Sequence, residues 1–440
     1  MRFFSFKGGV HPPEMKELAE DKPVQKAEIP STLTVPLVQH IGAPCTATVE
    51  AGQTVKEGQV IGAAQAFVTA PVHAPIAGKV KKIEPTLHPL GMKAMSVIIE
   101  GEGEGQKEYL PPLGDDPLRI DVKTMLERVQ QAGIVGMGGA TFPAHVKFSP
   151  PKEKRITTFI INGCECEPYL TADYRIMLER GEDVLLGTKM IAKILGVERT
   201  IIGVEENKPE AVENLRRLAA NSRGEVQVLA TKYPQGAEKV LIKALLDREV
   251  PSGGLPMDVG VVVSNVGTAL AVCEAVRDGK PLIERVVTVT GNGVKTSNNF
   301  LARIGTSLQN LVDQAGGTVG IVGKLIMGGP MMGLAQSSFE VPVIKGTSGI
   351  VVLQQEVFMH EGYMPCIKCS FCVQACPVRL IPSRLSILAE AQDWKQAEMY
   401  GANDCIECGC CTYVCPAKRP IVQLIKTTKS MLRKLKAREK

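Results

Sequence analysis

The sequence predicts a multidomain chain that combines α/β and α+β units and ends in an all-helical domain. Three observations predict this architecture: the chain has 440 residues, an apolar stretch at 259–276 is typical of a buried strand leading into a helix, and eight of the 13 cysteines form two copies of one pattern. At roughly 150 residues per domain, the length allows two to four domains. With 44% hydrophobic and 22% charged residues, the composition excludes disorder and collagen.

The charge is concentrated at one end of the chain. The net charge is +5, but residues 418–440 contain nine basic residues and one acidic residue, so this tail carries +8 and the remainder −3. We expect no nucleic-acid ligand, because the basic residues are confined to one end, no recognition motif is present and aromatic residues make up 4%.

Neither a signal peptide nor a membrane span is expected. Gly-Gly and Pro-Pro interrupt the N-terminal sequence before an apolar region of signal-peptide length develops. The apolar stretch at 259–276 contains Ser264, Asn265, Gly267 and Thr268 in its middle, which disfavours a transmembrane helix. In a reducing cytosol, 13 cysteines indicate metal or redox chemistry rather than disulfides.

The first unit, residues 1–101, contains a predicted β-barrel. Residues 49–61 and 74–80 have the glycine and β-branched spacing of a lipoyl- or biotinyl-like barrel built from two similar halves. A carrier domain of that type needs a lysine at its hairpin tip, and residues 57–78 contain none. The sequence therefore predicts a structural or docking domain, followed by a linker rich in glycine, glutamate and proline at 102–120.

The central unit, residues 121–283, opens with a glycine-rich segment at 133–143, followed by Lys147 and a β-like run at 156–161. Thr141 stands where a dinucleotide-binding GxGxxG motif requires a third small residue, so the ordinary Rossmann fingerprint is absent. Unhindered glycine amides beside a lysine suit the phosphate of a mononucleotide. A tight turn that packs a helix on a sheet explains the same glycines, so the residues alone leave both interpretations open.

Residues 284–340 are predicted to form a small β-grasp unit, from strand-like runs at 285–291 and 324–330 and a helical stretch at 306–314. We expect Met327, Met331 and Met332 to fill its core. The segment 341–362 is predicted to be a return strand and a connector.

The two cysteine runs are the strongest signal in the sequence. Each reads CxxCxxCxxxCP, a spacing that lets three thiolates of one loop reach three irons of a cubane while the fourth points to a second cluster. We predict crossed ligation by two sets, Cys366, Cys369, Cys372 and Cys415 on one [4Fe–4S] cluster, and Cys405, Cys408, Cys411 and Cys376 on the other. Zinc is the alternative, but zinc sites use paired CxxC knuckles rather than triplets with a distant fourth cysteine.

The cluster domain is predicted over residues 363–420, and helix formers at 380–400 make it helical rather than β-rich. Cys410, between two ligands, is expected to be a bystander, and Cys45 and Cys273 are expected to be core residues. Residues 421–440 are predicted to form a basic amphipathic helix. Its apolar side could lie on an anionic membrane or dock to a partner subunit, or the helix could simply be solvated.

Several segments carry a resemblance to known families. GMGGATFPAHVK, NGCECEP and VVVSNVGT resemble the segments that bind flavin and NADH in the corresponding subunit of respiratory complex I. FKGGVHPPEMKELAEDKP at the start, KGTSGIVVL before the cysteines and the order of segments resemble the C subunits of Rnf complexes, the ion-pumping ferredoxin:NAD⁺ oxidoreductases. The second resemblance covers nearly the whole chain.

The resemblance implies a complex I type of Rossmann-like flavin and NADH domain, a soluble-ligand-binding (SLBB) β-grasp domain and roles for individual residues. FMN would be held by Gly136, Gly138, Gly139, Lys147, Asn162 and Asn265. Phe142 would stack on the nicotinamide side, Glu165 would lie near the flavin, and Glu167 would bind the adenosine ribose. Glu238 is a loose counterpart of a further site glutamate, whereas Cys164 and Gly267 depart from the complex I pattern and leave a packing role or a redox role open for Cys164 and Cys166.

The implied function is electron transfer between NAD(H) and FMN and onward through two [4Fe–4S] clusters. Other Rnf subunits, including a ferredoxin-like iron–sulfur subunit and integral membrane subunits, would be the partners, and the chain would be peripheral on the cytoplasmic side of the cell membrane. Two alternatives stay open: a microcompartment-type cob(III)alamin reductase with the same layout, and a non-catalytic electron wire or assembly scaffold. The substitutions at Cys164 and Gly267 are the features that favour a scaffold.

Overall fold

The computed structural model describes residues 3–101, 105–114, 116–220, 224–355 and 362–438. The first strand, β1 (Val24–Lys26), pairs in parallel with a strand near residue 300 rather than with its sequence neighbours. A sandwich of two antiparallel sheets, ordered β2-β8-β7-β4 and β3-β5-β6, follows it and confirms the predicted lipoyl-like barrel. Its strands are β2 (Thr32–Pro36), β3 (Thr46–Ala47), β4 (Thr54–Val55), β5 (Val60–Ala63), β6 (Val72–His73), β7 (Gly78–Leu87) and β8 (Lys93–Gly101).

The central domain is an α/β unit around a parallel sheet of order β11-β10-β9-β12. Its elements are α1 (Val122–Gln131), α2 (Ala144–Lys147), β9 (Thr158–Gly163), α3 (Ala172–Glu179), α4 (Gly181–Leu195), β10 (Arg199–Glu205), α5 (Pro209–Ala219), β11 (Gly224–Leu229), α6 (Glu238–Leu246), β12 (Val261–Asn265) and α7 (Val266–Asp278). The chain moves outward from β9 through β10 to β11 and then returns to the other side of β9. The strand order therefore reverses between β9 and β12, where ligands bind in open α/β sheets.

The apolar stretch at 259–276 forms β12 and α7, as predicted. Every residue of β12 is buried, which is typical of a parallel strand covered by helices on both faces. Asn265 begins α7 as its N-cap, and its side chain accepts a hydrogen bond from the Gly267 amide at 2.8 Å. Helix α7 packs so closely on α4 that a Cβ at Gly187 would lie 1.9 Å from the Ala269 carbonyl oxygen.

The β-grasp domain has a six-stranded sheet of order β1-β14-β13-β17-β15-β16. Its elements are β13 (Glu284–Thr290), β14 (Asn298–Arg303), α8 (Leu308–Gln314), β15 (Val322–Met327), β16 (Leu334–Ala335) and β17 (Gly349–Gln354). The predicted return strand is β17, which lies between β13 and β15, so this domain extends to residue 354 rather than 340. Residues 24–26 also belong to this sheet and not to the barrel. The predicted connector at 356–361 and part of the predicted linker, 102–104 and 115, lie outside the described residues.

The last domain is helical over its described residues, 362–438, as predicted. Its helices are α9 (Phe371–Ala375), α10 (Pro382–Glu390), α11 (Trp394–Met399), α12 (Cys410–Tyr413) and α13 (Ile421–Arg438). The chain also contains short 3₁₀ turns, which are Lys16–Leu18, Pro117–Arg119, Pro256–Val259 and, in this last domain, Ala402–Asp404. Among the described residues, no helix combines the length and the hydrophobicity needed to cross a bilayer.

Much of the apolar side of α13 packs inside the helical domain instead of facing a membrane or a partner subunit. Ile421, Ile425 and Leu432 are buried in the core of the helical domain, with Leu385 and Leu388 of α10. Part of the basic side is also paired, because Lys429 lies 2.5 Å from Glu407 and Lys436 lies 2.6 Å from Glu398. The amphipathic pattern therefore reflects packing within the domain.

One buried lysine joins the first three domains. Lys345 lies between β16 and β17 of the β-grasp domain, and its ammonium donates to the carbonyls of Pro71 in the barrel and Gly133 in the central domain, at 2.7 Å each. The Lys345 amide donates to Gln39 of the barrel at 3.0 Å. Burial lowers the pKa of Lys345 from 10.5 to about 7.

This lysine predicts a pH-dependent contribution to stability. Between pH 7 and 10.5 an unfolded chain binds a proton at Lys345 that the folded chain does not, so this side chain makes the free energy of unfolding rise with pH over that window. We expect Lys345→Met to flatten the rise, measured by urea denaturation at several pH values. Lys324→Met, at an exposed position, is the control. Parallel curves for the native protein and Lys345→Met would contradict the prediction.

Candidate functional site

Two asparagines mark the point where the strand order reverses. Asn162 near the end of β9 and Asn265 at the end of β12 are in register on neighbouring parallel strands. Asn162 donates to the Gly236 carbonyl at 2.8 Å and accepts from the Cys164 amide at 3.1 Å. Asn265 donates to a carboxylate oxygen of Asp173 at 2.6 Å while it caps α7. The structure thus brings together two of the residues expected to bind FMN.

The glycine-rich segment lies over this edge of the sheet. The Gly136 amide donates to the Phe142 carbonyl at 2.8 Å, and this bond closes a tight turn. The Met137 amide donates to the Thr268 hydroxyl at 2.9 Å, which attaches the turn to α7. A Cβ at Gly138 would lie 3.5 Å from Cβ of Asn265. Gly139 has φ +118°, a conformation that favours glycine, and no atom within 4 Å of a built Cβ.

The turn leaves backbone donors unused. Gly138, Gly139 and Ala140 are exposed, and their amides donate to no acceptor among the described residues. Adjacent N–H groups without partners form a concave site for an anion. This arrangement combines the two interpretations left open by the sequence, because the segment is a tight turn that also offers donors for a phosphate.

Lys147 and Glu238 form an ion pair of 2.6 Å at the side of the site. Lys147 ends α2 and Glu238 begins α6, two residues after Gly236, which accepts the hydrogen bond from Asn162. Phe142 is half-buried at the start of the same helical turn. The structure therefore places Glu238 beside the other expected FMN residues.

The two glutamates of the NGCECEP segment face the protein interior. Glu165 accepts from the amides of Asp173 at 2.7 Å and Tyr174 at 3.1 Å, which caps α3. Glu167 accepts from the amides of Met331 at 3.0 Å and Met332 at 2.9 Å. Both glutamates are thus fully engaged by backbone donors.

Burial raises the pKa of Glu167, although these backbone donors favour its charged form. Met332 is 46% exposed, so the expectation that it fills the core is wrong, whereas Met327 is buried and Met331 is half-buried. Met332 contributes to the site through its amide, which donates to Glu167, and not through its side chain.

Two buried lysines, neither of them expected from the sequence, hold the backbone of this acidic segment. The Lys16 ammonium donates to the carbonyls of Glu165, Glu167 and Leu170 at 2.9, 3.0 and 2.6 Å. Lys208 donates to the Cys164 carbonyl at 2.6 Å and lies 3.4 Å from Glu205. Burial lowers the pKa of Lys16. No local motif signals these contacts, since Lys16 lies 149 residues before Glu165.

Asp173 is a further site residue that was not expected. Its carboxylate is buried, accepts from Asn265 and lies near Glu165, and burial followed by repulsion from Glu165 raises its pKa. An Asp directly after the acidic segment, on the first turn of a helix, is the signal that could have identified it.

The neighbouring cysteines pack in the interior. Cys164 is fully buried in the core beside Ile160, Ile201 and Leu241, and Cys166 accepts from the Gly236 amide at 3.3 Å. Burial raises the pKa of both thiols, which disfavours the reactive thiolate. Packing is therefore the role that the structure supports. Cys45 and Cys273 are buried in the core as well.

Burial raises the pKa of several thiols of the two runs, among them Cys372, Cys376 and Cys411. Cys372, Cys376, Cys408 and Cys411 are buried, and Cys366, Cys369, Cys405 and Cys415 are half-buried. Cys410 is fully buried, with its sulfur 3.9 Å from the Tyr233 carbonyl oxygen, which fits a bystander.

The donor chemistry around these thiols suits iron–sulfur clusters. The Leu380 amide donates to the Cys376 sulfur at 3.3 Å, and the Glu407 amide donates to the Cys405 sulfur at 3.4 Å. Such hydrogen bonds are among the factors that set cluster potentials. No three His, Cys, Asp or Glu side chains of the described residues are close enough to enclose one metal ion. A cubane does not need that proximity, because each of its cysteines binds a different iron.

Models of four families match this chain. They are described as the RnfC barrel sandwich hybrid domain, over residues 4–104; the Nuo51 FMN-binding domain, over 129–274; the SLBB domain, over 286–335; and the 4Fe-4S dicluster domain, over 365–418. These descriptions agree with the predicted fold of each of the four domains.

Curated relatives match over almost the whole chain. The C subunit of the proton-translocating ferredoxin:NAD(+) oxidoreductase complex of Clostridium ljungdahlii is 48% identical over 99% of this chain and 96% of the relative. The C subunit of the Na(+)-translocating complex of Acetobacterium woodii is 46% identical over 97% and 96%. The C subunit of an ion-translocating oxidoreductase complex of Yersinia enterocolitica is 42% identical over 98% and 62%. Among solved structures, an NAD⁺-reducing [NiFe]-hydrogenase has a TM-score of 0.48 and 20% identity, over 63% of this chain and 54% of that one.

The buried lysines give a prediction for the acidic segment. Lys16→Met leaves three buried carbonyls without a donor, so we expect a loss of about 3 kcal/mol in the free energy of unfolding. We also expect faster hydrogen exchange at residues 164–170 than in the native protein. Lys22→Met, on an exposed side chain paired only with Asp21 among the described residues, is the control and should change neither quantity. Native-like exchange in Lys16→Met would contradict the assigned role.

Proposed function

The chain belongs to the family of C subunits of ion-translocating ferredoxin:NAD(+) oxidoreductase complexes, the Rnf complexes, and from that premise we propose that it exchanges hydride between NAD(H) and FMN and relays single electrons through two [4Fe–4S] clusters. The observation that carries this proposal is the pair of in-register asparagines beneath a turn with unused amides, within the region matched by the FMN-binding model.

The proposed FMN site follows from the donors available. The exposed amides of Gly138 and Gly139 supply neutral donors to a phosphate, and the positive φ of Gly139, +118°, disfavours any other residue at that position. Asn162 and Asn265 supply side-chain amides at the strand ends, and Lys147, paired with Glu238, supplies a positive charge close by. Gly136 fixes the turn through its hydrogen bond to Phe142.

When bound, FMN supplies the conversion between two-electron hydride transfer and one-electron transfer. The residues of this chain provide position and electrostatics, and no side chain needs to act as a general acid or base. Lys16 and Lys208 keep the backbone of residues 164–170 in place. Glu165 caps the start of α3, where Asp173 in turn holds the side chain of Asn265. The buried neutral thiols of Cys164 and Cys166 add packing without a competing redox group.

Two contacts with the nucleotide stay predictions. Phe142 is half-buried at the mouth of the glycine turn, where an aromatic ring can face the nicotinamide. Glu167 can bind the adenosine ribose only if its carboxylate exchanges its bonds to Met331 and Met332 for bonds to the hydroxyls. A carboxylate there would disfavour the 2′-phosphate of NADP(H).

We propose crossed ligation of the clusters. One set is Cys366, Cys369, Cys372 and Cys415, and the other is Cys405, Cys408, Cys411 and Cys376. The spacing of the two runs supports this assignment, because the fourth cysteine of each run follows the triplet after three intervening residues and precedes a proline, where it can reach the other cluster.

The chain works as one subunit of a membrane-associated complex. We propose that its partners include a ferredoxin-like iron–sulfur subunit and integral membrane subunits, and that it lies peripherally on the cytoplasmic side. The relatives from Clostridium ljungdahlii and Acetobacterium woodii carry different ions in their names, proton and Na⁺, so similarity does not decide the coupling ion. No contact among the described residues favours either of the two alternative functions, the cob(III)alamin reductase or the non-catalytic scaffold.

The proposed function is tested by NADH oxidation. The chain, purified anaerobically and supplied with iron, sulfide and FMN, should reduce ferricyanide with NADH and much more slowly with NADPH. Gly138→Val places a branched side chain over Asn265 and should lower FMN content and activity together, whereas Ala51→Val, at an exposed alanine of the barrel, is the control. FMN retention without NADH oxidation would favour the scaffold, and rapid cob(III)alamin reduction without membrane association would favour the cobalamin reductase.

Crossed ligation is tested by Cys376→Ser. About eight irons per chain are expected for two four-iron clusters, and zinc in their place would overturn the assignment. We expect Cys376→Ser to alter the electron paramagnetic resonance signal of the cluster that Cys411→Ser also alters. Cys410→Ser, at a buried cysteine outside both sets, is the control. A change in the signal that Cys369→Ser affects would contradict crossing.

A further inference from the structure

Tyr233 connects the central domain to a cysteine ligand. Its side chain is 2% exposed and lies in the loop between β11 and α6. Its hydroxyl donates to the Cys408 carbonyl at 2.8 Å and also lies 3.4 Å from a carboxylate oxygen of Glu167. One hydroxyl carries one proton, so the shorter contact, to Cys408, is the one that it satisfies.

The backbone of Tyr233 is also connected to the helical domain, through the N-terminal segment 8–10. Tyr233 and Val10 exchange two backbone hydrogen bonds, of 2.9 and 3.0 Å. The next residue toward the N-terminus, Gly9, donates to the Ala375 carbonyl at 2.8 Å. Gly8 has φ +81°, and a Cβ there would lie 2.9 Å from the Cys376 carbonyl oxygen. The N-terminal segment is therefore enclosed between the central domain and the residues around Cys376.

A third contact comes from the β-grasp domain. Gly409 has φ +81°, and a Cβ there would lie 3.0 Å from the Met331 carbonyl oxygen. The amide of Met331 is held by Glu167, whose carboxylate is also so close to Gly329 that a Cβ there would lie 2.2 Å from it. Glu167, Met331 and Gly409 thus form a continuous line of contacts from the acidic segment to the loop that carries Cys408 and Cys411.

The first cysteine triplet lies in a different environment. Met364, Ile367 and Phe371, next to Cys366, Cys369 and Cys372 in sequence, are exposed by 58, 64 and 51%. Cys372 is itself buried, at 7% exposure, as are Cys408, Cys411 and Cys376, at 7 to 9%, so burial of the thiols does not separate the two sets. What separates them is contact: Tyr233 holds Cys408 and Gly8 lies against Cys376, whereas the residues beside the first triplet are exposed.

We propose that Tyr233 is a positioning residue that docks the loop 405–411 on the central domain, and that the cluster held by this loop and Cys376 is the one that exchanges electrons directly with the flavin. This inference rests on the proposed function. The cluster of the first triplet then connects the chain to its redox partner. In the NADH-oxidising direction, the cluster held by loop 405–411 and Cys376 would take one electron at a time from the flavin and pass it to the cluster of the first triplet, and Tyr233 keeps its proton throughout.

Tyr233→Phe tests the inference, because it removes one oxygen and keeps the ring in the core. In the full chain with its clusters, amides of residues 405–411 should exchange hydrogen about fivefold faster, the change expected from the loss of one hydrogen bond. After mixing with NADH, the cluster signal that Cys411→Ser affects should form more slowly, while ferricyanide reduction and the affinity for NADH stay unchanged. Tyr400→Phe, at an exposed tyrosine of the helical domain, is the control for the loss of a tyrosine hydroxyl.

A second pair of variants covers the case in which Tyr233→Phe does not fold. Gly409→Ala inserts a Cβ against the Met331 carbonyl oxygen and should give the same two changes. Gly401→Ala has the same positive φ, +78°, but its nearest neighbour is the end of the Leu380 side chain, so it controls for backbone strain.

The inference is overturned if hydrogen exchange and cluster reduction in Tyr233→Phe and Gly409→Ala equal those of the controls. It is also overturned if the signal that Cys369→Ser affects appears first after mixing with NADH. A native protein that binds neither FMN nor iron would instead refute the proposed function, so the two failures are distinguishable.

Discussion

The hydrogen bonds of two buried ammonium groups to backbone carbonyls are the constraint on which the site depends. Residues 164–170 are an irregular segment in the interior, and their carbonyls would be costly to bury without donors. Lys16 and Lys208 supply those donors, to four carbonyls in all. Because the backbone is fixed in this way, Glu165 can cap α3 and Glu167 can reach the amides of Met331 and Met332.

The domains are joined by buried polar contacts rather than by apolar surfaces alone. Lys345 holds the barrel, the central domain and the β-grasp domain through three hydrogen bonds, and Tyr233 joins the central and helical domains. Buried polar groups of this kind tolerate few alternative arrangements, because a shift leaves a donor or an acceptor unpaired. Directional contacts therefore fix the distances between the parts of an electron path more tightly than apolar packing does.

Local patterns predicted the features that depend on local spacing. The helix formers at 380–400 predicted a helical cluster domain, and the stretch at 259–276 predicted β12 and α7, since each signal lies within one short segment. Contacts across long separations were not predictable: Lys16 binds residues about 150 positions away, and the return strand β17 was expected without its place between β13 and β15. The pattern of α13 showed an apolar side but not that α10 covers it. The resemblance identified Glu167 as important without the Met331 and Met332 amides that engage it.

The position of Gly8, Gly9 and Val10 has a consequence for biosynthesis. These residues are made long before their partners at Tyr233, Ala375 and Cys376, so they stay unpaired until most of the chain has been made. Contacts between residues far apart in sequence also slow folding. Segment 8–10 therefore cannot pack against the Cys376 region before the first cysteine run is complete.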